Sequence, residues 1–498
     1  MQHYEKIINI AIQRGFFLPS FEIYGTIGGF YDYGPIGLKI LNKMKNLWRE
    51  KFLYSLENSY EIQTSLFLPQ KALLASGHIK NFADPVVFCK KEKKAFRADH
   101  LLNSALDKQE IEAKTHLSLE DLKEKLKKAH ILCPDCGGEL SEPILFNLMF
   151  STQVGAIDPQ TLYLRPETAQ GIFLDFKRIF LQSGAKLPIA IGQIGSSFRN
   201  EISPRKGLIR MREFQQMELE YFFNPNSATF YNFDQIAQKI LKLKTNDNQI
   251  IELSAKDAIA QGLIPNQIMA ALLVLEQELF YEWGINPQKF WFRILSKDEL
   301  PHYSASNIDA EFESSFGILE ISGTSYRTDF DLLSHQKYSS EDLSVLDEST
   351  NKKFIPHVVE PSIGLDRSFF CILESCFREK SATKEWDWFS FPTSIAPYLV
   401  AVFPLMKKDN LDEFAYNIYL MLKRHKIDCY YSDRGSIGKR YARADEIGVP
   451  FCITIDYDSK QNNDVTIRYR DNAKQERVPL SNLTKKLIQL EQENKTSL

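Results

Sequence analysis

The sequence predicts an α/β (α+β) protein of several domains, with helical insertions in its first part and a compact α/β domain at its end. Three observations lead to this prediction. Two amphipathic strands flank a basic loop within residues 191–223, two polar segments with helical periodicity interrupt the chain, and strands alternate with helices from about Ser394 onward. At 498 residues the chain is too long for one core, so two or three domains are expected.

The predicted strand pair has one polar and one apolar face on each strand. In the first strand, period-2 alternation separates Gln193 and Arg199 from Ile194 and Phe198. In the second strand, Gln216, Glu218 and Glu220 alternate with Met217, Leu219 and Tyr221. The basic residues of the connecting loop are Arg205, Lys206, Arg210 and Arg212. Such a hairpin is often a solvated sheet face, but it also suits a ligand with phosphates at one end and an ammonium at the other.

Composition and charge exclude several classes of function. Hydrophobic residues make up 44% of the chain and charged residues 25%, as in ordinary globular proteins. A net charge of -3 argues against a general nucleic-acid coat, and we predict no DNA partner, although a local basic patch could still bind RNA. No apolar run approaches the ~18–20 residues that span a bilayer, so no membrane partner is predicted. Seven scattered cysteines indicate a reducing compartment, and we expect a cytoplasmic protein.

Four segments together resemble the class II aminoacyl-tRNA synthetases, in particular the glycyl branch of that family. FRNEISPRKGLIRMREFQQMELEYF at 198–222 resembles the second signature motif, and GFYDYGPIG at 29–37 resembles the first. RPETAQG at 165–171 is a hallmark of the glycyl branch, and the strand, turn and helix at 356–376 resemble the third motif. The resemblance implies a class II antiparallel sheet flanked by helices, followed by an anticodon-binding domain with a mixed sheet.

The resemblance and the changes in composition and secondary-structure pattern along the chain predict six segments. These are 1–100, the first part of the catalytic domain with the dimer-interface motif; 101–145, a charged insertion; 146–223, catalytic core with the second motif; 224–300, a helical insertion; 301–392, catalytic core with the third motif; and 393–498, the anticodon-binding domain. In the last segment, Lys439, Arg440 and Arg443 could contact RNA phosphates, although a solvated face would have the same pattern.

The resemblance implies an ATP site along the second and third motifs. Arg199 is expected to hold the α-phosphate and the reacting carboxylate, and Arg367 to bind the far side of ATP, so these two are the candidate catalytic residues. Glu320 could also bind Mg²⁺, a cation that prefers carboxylates and phosphates. The candidate ATP-binding residues are Arg199, Asn200, Glu201, Ile209, Arg210, Met211, Arg212, Glu213, Phe214, Glu320, Ile321, Gly364, Leu365, Asp366 and Arg367.

The resemblance also implies that the amino-acid substrate is glycine. Three carboxylates are expected around its ammonium group, in a small acidic pocket without room for a side chain, and Arg97 is expected to reach the substrate region. The candidate glycine-binding residues are Arg97, Glu167, Phe214, Gln215, Gln216, Met217, Glu218, Glu360, Pro361, Ser362, Ile363 and Gly364.

The implied activity is AMP-forming ligation of glycine to its tRNA through a glycyl adenylate, with ATP as substrate, Mg²⁺ as cofactor and a homodimer as the assembly. Two alternatives stay open. One is a synthetase of the same subclass for another amino acid, such as threonine or proline. The other is a non-catalytic accessory protein on the same fold that binds RNA or DNA. Such a relative should have lost the motif arginines, whereas Arg199, Arg210, Arg212 and Arg367 are all present here.

The charged insertion ends in the pair Cys133 and Cys136, which is half of a zinc knuckle. Relatives that bind zinc here carry a second pair, whereas this sequence has Cys89 followed by Glu92 where the partner cysteine would fall. Three cysteines and a glutamate could still hold zinc. We nevertheless expect loss of the site, with the fold kept by packing, and assign no metal ligand.

Overall fold

A large sheet forms the centre of the part of the chain that precedes residue 393. The computed structural model describes residues 2–105, 118–204, 207–347, 350–382 and 384–493. The strands of this first part are β1 (Phe17–Pro19), β2 (Tyr31–Tyr33), β3 (Ser59–Glu61), β4 (Phe67–Pro69), β5 (Ala83–Phe88), β6 (Ala95–Arg97), β7 (Ile144–Asn147), β8 (Ser151–Val154), β9 (Gln160–Leu164), β10 (Ile189–Phe198), β11 (Glu213–Phe223), β12 (Ile240–Lys244), β13 (Ile250–Ser254), β14 (Phe290–Ile294), β15 (Ser306–Ser314), β16 (Gly317–Thr328), β17 (Val345–Asp347), β18 (Lys352–Phe354), β19 (His357–Gly364), β20 (Phe377–Arg378) and β21 (Trp388–Phe389).

Helices cover both faces of this sheet. They are α1 (Gln2–Gln13), α2 (Pro35–Arg49), α3 (Gln70–Ala75), α4 (His78–Asn81), α5 (Ala98–Ala105), α6 (Leu119–Lys128), α7 (Ala169–Ser183), α8 (Phe233–Ile236), α9 (Ala255–Ala260), α10 (Gln267–Glu282), α11 (Phe330–Ser339) and α12 (Leu365–Cys376). None of the helices within the described ranges is both long and apolar enough to cross a bilayer.

The central sheet has nine strands in the order β13-β12-β14-β15-β16-β19-β11-β10-β3. All neighbouring strands are antiparallel except the pairs β10–β3 and β12–β14. The register of β10 and β11 pairs Gln193 with Glu218 and Ile194 with Met217. The predicted hairpin is therefore present, and the antiparallel sheet flanked by helices is confirmed.

The two faces of β11 have opposite environments, because successive side chains of a strand point to opposite sides. Met217 and Leu219 belong to the main apolar core, which also contains residues of α10 and α12. Glu218 and Glu220 are buried on the other face, where α7 packs beside the sheet. The pleat of one strand thus separates the core from a buried acidic face.

The expectation that residues 224–300 form a helical insertion is wrong in part. The segment contains α8, α9 and α10, but it also supplies β12, β13 and β14 to the central sheet. In β12 only two buried residues, Leu241 and Leu243, alternate with polar ones. So short an alternation is a weak strand signal within a polar segment of helical periodicity. Helix α10 is apolar on most of its surface and is buried under the sheet, which agrees with the rule for all-round hydrophobic helices.

The described part of the charged insertion packs with the strands that precede it to form a small layer. Strands β5, β6 and β7 make a three-stranded sheet in the order β6-β5-β7. Helix α6 begins with a capping box, in which the Ser118 side chain accepts from the Asp121 amide, and it buries Leu122 and Leu126. These leucines belong to a core cluster that also holds Val87, so the insertion is packed rather than merely solvated.

The C-terminal part of the chain forms a second α/β layer. Its strands are β22 (Val400–Pro404), β23 (Cys429–Tyr431), β24 (Phe451–Ile455), β25 (Asp464–Tyr469) and β26 (Gln475–Pro479), and its helices are α13 (Leu411–Arg424), α14 (Ile437–Glu446), α15 (Tyr457–Asn462) and α16 (Leu480–Glu493). The strand order is β23-β22-β24-β25-β26, with β23, β22 and β24 parallel and the other pairs antiparallel. The predicted mixed sheet is confirmed.

Arg440 has a structural place in this layer. Its guanidinium is buried and donates to the carbonyl oxygens of Pro404 and Leu405, at 2.5 and 3.2 Å. Lys439 and Arg443 are exposed on the same helix. The hypothesis of an RNA-phosphate contact therefore applies to Lys439 and Arg443, because the Arg440 guanidinium is occupied by the backbone.

Candidate active site

A cavity of about 470 Å³ lies over the acidic face of the central sheet. Its walls come from the chain that follows β10, from the start of β11, from β15, β16 and β19, from α4 and from the start of α12. This volume lies in the usual range for sites that hold ligands of nucleotide size.

The cavity brings together most of the residues that the sequence analysis selected. The predicted residues that line it are Glu167, Arg199, Glu201, Ile209, Arg210, Met211, Phe214, Gln215, Gln216, Glu218, Glu320, Ile321, Glu360, Ser362, Gly364, Asp366 and Arg367. They come from four separate stretches of the chain, so the fold gathers them on one side of the sheet. Arg205 and Lys206, which the sequence analysis placed in the basic loop, lie outside the described residues.

Eight predicted residues have side chains that do not line the cavity: Arg97, Asn200, Arg212, Glu213, Met217, Pro361, Ile363 and Leu365. Met217, Ile363 and Leu365 are fully buried in the main core, because the pleat turns them away from the acidic face. The side chains of these three residues are therefore not part of the pocket wall, contrary to the expectation from the sequence.

Two of the predicted arginines are engaged outside the cavity. Arg97 forms ion pairs with Asp84 at 2.9 Å and with Asp99 at 2.6 Å. Arg212 donates to the carbonyl oxygens of Glu201 at 3.1 Å and Gly28 at 2.9 Å. Arg212 thus fixes the loop that carries Glu201, and does so through backbone contacts.

The cavity also contains residues that the sequence analysis did not select. Those most important for its chemistry are His78, Phe82, His302, Tyr303, Asp309 and Arg327. Five of them lie in GHIKNF at 77–82, HYS at 302–304 and RTDFD at 327–331, and Asp309 lies in β15. The missing signal was spatial, because these segments reach the cavity from α4, from the chain before β15 and from β16.

At one end of the cavity, Glu218 is held by a full set of donors. The Thr168 amide donates to Oε2 at 2.7 Å, and the Thr168 hydroxyl donates to the same oxygen. The Ser362 hydroxyl and the Gln216 amide donate to Oε1, at 2.6 and 2.9 Å. Burial and the charge of Glu167 raise the pKa of Glu218 in spite of these donors. The carboxylate is therefore rigidly placed and gains from any cation that arrives beside it.

Glu167 lies at the same end and is held from two sides. The Gln170 amide donates to Oε1 at 2.9 Å, and His78 Nε2 lies 3.4 Å from Oε2. Burial alone would raise the pKa of Glu167, but the charges of His78 and Arg327 outweigh burial and hold this pKa below its ordinary value. Glu167 is thus an anion at neutral pH.

Arg327 joins the carboxylates beneath this end of the cavity. Its guanidinium makes a two-bond pair with Asp331, at 2.7 and 2.9 Å, and a third bond to Glu360 at 2.7 Å. Both Arg327 and its partners are almost completely buried. Burial raises the pKa of Glu360, and the adjacent charge of Arg327 opposes this rise.

A further buried carboxyl, Glu220, lies deeper on the same face of β11. The pairing of Glu218 with Ser362 and of Tyr221 with Val359 puts Glu220 level with Glu360. Neither of its carboxyl oxygens has a hydrogen-bond partner in the described part of the chain. Burial, followed by the charge of Glu360, raises the pKa of Glu220 well above its ordinary value.

The other end of the cavity is rich in arginine and aromatic side chains. The Arg199 guanidinium lies between the rings of Phe82 and Phe214, with its central carbon 5.2 Å from each ring centre. Arg210 pairs with Glu201 at 3.2 Å. These cations are partly exposed to the cavity, which suits the binding of an anion with several negative oxygens.

The start of α12 closes this second end. Arg367 donates to the carbonyl oxygen of Glu320 at 2.6 Å. Asp366 is buried, accepts from the Gln215 amide at 2.5 Å and accepts from the Tyr33 hydroxyl. Asp366 therefore ties the helix to the hairpin, while Arg367 faces the cavity.

Two acidic residues on neighbouring strands, Asp309 and Glu320, face the cavity together. Burial and the charge of Glu320 raise the pKa of Asp309 to about 8, despite the opposing charge of Arg293. Two oxygen donors whose negative charges repel each other fit a hard divalent cation such as Mg²⁺. Asp309 was not among the candidates from the sequence.

Away from the cavity, the thiols of Cys89, Cys133 and Cys136 converge. Their sulfur atoms all lie within 4.8 Å of one another, and the sulfurs of Cys89 and Cys136 are 3.5 Å apart. The Glu92 amide donates to the Cys89 sulfur at 3.3 Å, but the Glu92 carboxylate pairs with Lys94 at 3.1 Å. The residues present therefore fit three ligands of a tetrahedral zinc site, and in the described ranges the fourth side-chain ligand is missing.

Comparison with known proteins agrees with this geometry. Residues 153–376 match the tRNA synthetase class II core domain (G, H, P, S and T), and residues 399–490 match the anticodon binding domain. The glycine–tRNA ligase of Pyrococcus abyssi is 37% identical, and the match covers 98% of each chain. The glycine–tRNA ligase of Methanococcus maripaludis strain C5 is 36% identical over 97% of this chain and 98% of its own.

The chain belongs to the glycine–tRNA ligase family.

Within this family the resemblance found in the sequence extends over nearly the whole chain, so the predicted family and fold class are confirmed. A solved prolyl-tRNA synthetase from Cryptosporidium parvum has the same fold, with a TM-score of 0.59, 13% identity, and coverage of 98% of this chain and 77% of that one. The matched core carries the hairpin and the acidic face described above, and the matched C-terminal domain carries the mixed sheet.

Proposed function

We propose that the cavity activates glycine with ATP, giving a glycyl adenylate and pyrophosphate, and then passes the glycyl group to the terminal ribose of a tRNA. The observation that carries this proposal is the pairing, in one cavity, of an arginine-rich end with a crowded acidic end. The first end suits the phosphates of ATP, and the second suits the ammonium of a small amino acid. Membership of the glycine–tRNA ligase family supports the same substrates.

The first step is the attack of the glycine carboxylate on the α-phosphorus of ATP, with pyrophosphate as the leaving group. No covalent bond to the protein is needed, so the contribution of the site is alignment and stabilisation of charge. Arg199 is fixed by two aromatic rings and by its bond to the Pro166 carbonyl at 3.2 Å. We assign to Arg199 the α-phosphate and the attacking carboxylate, and to Arg367 the opposite side of the nucleotide.

The acidic end explains how the site selects glycine. Glu167, Glu218 and Glu360 approach one small region, which attracts an ammonium group and leaves the space around it crowded. Rejecting a larger competitor needs only steric exclusion, whereas preferring a larger substrate over a smaller one gains only ~1–3 kcal/mol for each methylene. Because glycine is the smallest amino acid, exclusion alone can provide the selectivity.

We assign Asp309 and Glu320 as the protein ligands for Mg²⁺ that accompanies ATP. The raised pKa of Asp309 supports this assignment, because a cation between the two carboxylates would relieve their repulsion. Bound Mg²⁺ would neutralise charge on the phosphates during the displacement. A cytoplasmic setting is supported by the seven cysteines, all of which are free thiols.

The assignment of Arg199 predicts a specific loss of adenylate formation. Replacing Arg199 by alanine should lower glycine-dependent exchange of pyrophosphate into ATP by at least about a hundredfold, because the charge that develops on the phosphate would lose its main cation. The matched control is Arg178→Ala, since Arg178 is an exposed arginine of α7 that pairs only with Asp175 among the described residues. Wild-type exchange in the Arg199 variant would disprove the role of Arg199.

We propose a homodimer formed through the loop that precedes β2. In this loop Ile23 and Tyr24 are 88% and 89% exposed, and Phe21 and Ile27 are also exposed. A monomeric protein rarely exposes such a cluster of large apolar side chains. The loop leads into the GFYDYGPIG segment, for which the sequence analysis implied an interface.

The homodimer can be tested by sedimentation velocity at micromolar concentration. The wild type should sediment as a dimer, and the double variant Ile23→Ser, Tyr24→Ser should dissociate at least about tenfold more readily, because both side chains would lose apolar burial. Tyr54→Ser is the control, since Tyr54 is also exposed but belongs to a different segment. A monomeric wild type, or a double variant as dimeric as the wild type, would contradict the proposal.

We propose that the three converging thiols retain an affinity for zinc that is lower than that of a four-cysteine knuckle. Backbone amides already approach the sulfurs, as the bond from the Glu92 amide to Cys89 illustrates. The turn at Cys133 is also closed, with its amide bonded to the Gly138 carbonyl at 2.8 Å. What the site lacks is a fourth thiolate, because Glu92 occupies the position and pairs with Lys94.

Zinc content after dialysis against a graded chelator tests this proposal. Glu92→Cys should raise the zinc affinity at least about tenfold by completing a tetrahedral site, and Cys136→Ser should remove zinc binding. Glu139→Cys is the control, because Glu139 is exposed nearby and pairs with Lys90. A wild type without measurable zinc, together with no gain in the Glu92 variant, would show that the site has been lost.

A further inference from the structure

The side chain of Tyr303 forms an aromatic wall at the acidic end of the cavity. The two phenylalanine rings of the cavity wall, Phe82 and Phe214, lie instead at the arginine-rich end. The ring centre of Tyr303 lies 3.9 Å from the central carbon of the Arg327 guanidinium. Because Arg327 also bonds to Glu360, the Tyr303 ring stands beside the carboxylates assigned to the ammonium group.

The Tyr303 ring rests on a guanidinium that is itself held in place. Arg327 makes two bonds to Asp331, at 2.7 and 2.9 Å, and a third bond to Glu360 at 2.7 Å. The ring of Phe173 lies 5.2 Å from the same guanidinium carbon, and only 2% of the Arg327 side chain is exposed. A guanidinium over an aromatic ring is an attractive contact. The Tyr303 ring therefore packs against a rigid support.

The backbone that follows Tyr303 is fixed to the sheet. The Ser304 hydroxyl donates to the Ser306 carbonyl oxygen at 2.6 Å. The Ala305 amide donates to the Tyr326 carbonyl oxygen at 2.9 Å. Tyr326 belongs to β16, so this bond joins the segment to the strand that also carries the guanidinium under the ring.

The residue before Tyr303 packs against the junction of α3 and α4. His302 Nε2 lies 3.4 Å from the Ser76 carbonyl oxygen, and the His302 ring packs edge-on against Tyr303 with ring centres 5.3 Å apart. Gly77 has a φ of +81°, and a Cβ there would lie 2.9 Å from His302 Nε2, so the missing side chain permits this close approach. Tyr303 is thus held by its neighbours on both sides as well as by Arg327.

A wall that is held in this way excludes substituents more strictly than a mobile side chain does. An extra methyl group in a packed site forces side chains or backbone to shift, which costs free energy. The ammonium is assigned to the carboxylates beside Tyr303, and the reacting carboxylate to Arg199, so the α-carbon lies between these groups. We propose that Tyr303 is a specificity-determining residue, whose ring occupies the space that a side chain on the α-carbon would need. This inference rests on the proposed function.

The proposal distinguishes the two hydrogens on the α-carbon of glycine. The Tyr303 ring is one wall and faces one of these hydrogens. The sheet is a second boundary, where the Ser362 hydroxyl bonds to Glu218 at 2.6 Å and the Gln216 amide bonds to the same carboxylate at 2.9 Å. Loss of the ring should therefore admit one enantiomer of alanine more than the other. An amino acid with two methyl groups, 2-aminoisobutyrate, should stay excluded by the second boundary.

ATP–pyrophosphate exchange with glycine, L-alanine, D-alanine and 2-aminoisobutyrate tests the proposal. In Tyr303→Ala, the ratio of kcat/KM for one alanine enantiomer to kcat/KM for glycine should rise at least about tenfold, because a methyl group gains space. Tyr303→Phe should keep the wild-type ratio, because the ring remains over the guanidinium. The KM for ATP should change by less than about threefold in both variants, because the nucleotide end is untouched.

The matched control is Tyr338→Ala. Tyr338 of α11 is 42% exposed and does not line the cavity, so this variant should keep the wild-type ratio. Should Tyr303→Ala fail to fold, Tyr303→Leu serves instead, since leucine still covers the guanidinium but is shorter than tyrosine. In Tyr303→Leu the same ratio should rise by at least about threefold.

Four results would overturn the inference. The first is a wild-type ratio in both Tyr303→Ala and Tyr303→Leu. The second is an equal gain for L-alanine and D-alanine, or a gain for 2-aminoisobutyrate, which would show a general loosening of the acidic end. The third is a raised ratio in Tyr303→Phe, which would assign the selectivity to the hydroxyl. The fourth is a folded Tyr303→Leu variant without exchange for any amino acid, which would assign Tyr303 to glycine binding.

The failure of the proposed function would look different. A wild type without glycine-dependent exchange would overturn the proposed function itself, whereas all four results above are read from a wild type that activates glycine.

Discussion

The ion-pair cluster around Arg327 is the constraint on which the rest of the site depends. One guanidinium bonds to Asp331 and Glu360, and it does so with almost no access to solvent. Removing one partner from such a buried pair typically costs about 3–5 kcal/mol, because a charge is left without compensation. The cluster of Arg327, Asp331 and Glu360 therefore holds β16, β19 and α11 together beneath the cavity. It also compensates the charge of acidic side chains on a sheet face that is usually apolar.

Three further carboxyl groups near the Arg327 cluster, those of Glu218, Glu167 and Glu220, differ in their neighbours. Glu218 is satisfied by four donors, and Glu167 is held by Gln170 and His78. Burial raises the pKa of Glu220, whose carboxyl oxygens have no hydrogen-bond partner among the described residues. The pKa values of these carboxyl groups shift in different directions, because each group has a different set of neighbours. A ligand ammonium adds the positive charge that this cluster lacks. The other end of the cavity carries Arg199, Arg210 and Arg367, so we propose that an amino acid and a polyphosphate bind at opposite ends.

Much of this architecture could be predicted from the sequence, because it depends on local periodicity and on motifs. The hairpin and the alternating strands and helices of the last domain follow from short-range patterns, whereas the carboxylates of the acidic pocket were implied by the resemblance of the motifs to the glycyl branch. Three features could not be predicted in this way. Leu241 and Leu243 form a strand only because an edge of the central sheet is available to them. Arg440 is buried by carbonyl groups from distant loops. Arg327 and His78 acquire their partners only when β16 and α4 reach the cavity.

The alternation of side chains along β11 also explains why some candidate ligand-binding residues do not line the cavity. Met217 lies between two residues of the cavity wall, yet its side chain belongs to the core, because the pleat assigns neighbouring residues to opposite faces. A sequence motif that spans a strand includes residues of both faces of the sheet, whereas a ligand contacts the side chains of only one face. Arg97 and Arg212 also lie outside the cavity wall, because ion pairs hold Arg97 and backbone carbonyls hold Arg212.

We propose that charge and crowding at the acidic end of the cavity select glycine. ATP–pyrophosphate exchange on the purified protein, with each of the twenty amino acids in turn at equal concentration, tests this selection. We expect exchange with glycine and at most a trace with alanine. Comparable exchange with alanine or with any larger amino acid would contradict the claim that crowding excludes a side chain, and exchange with none would contradict the assignment of the cavity as an activating site.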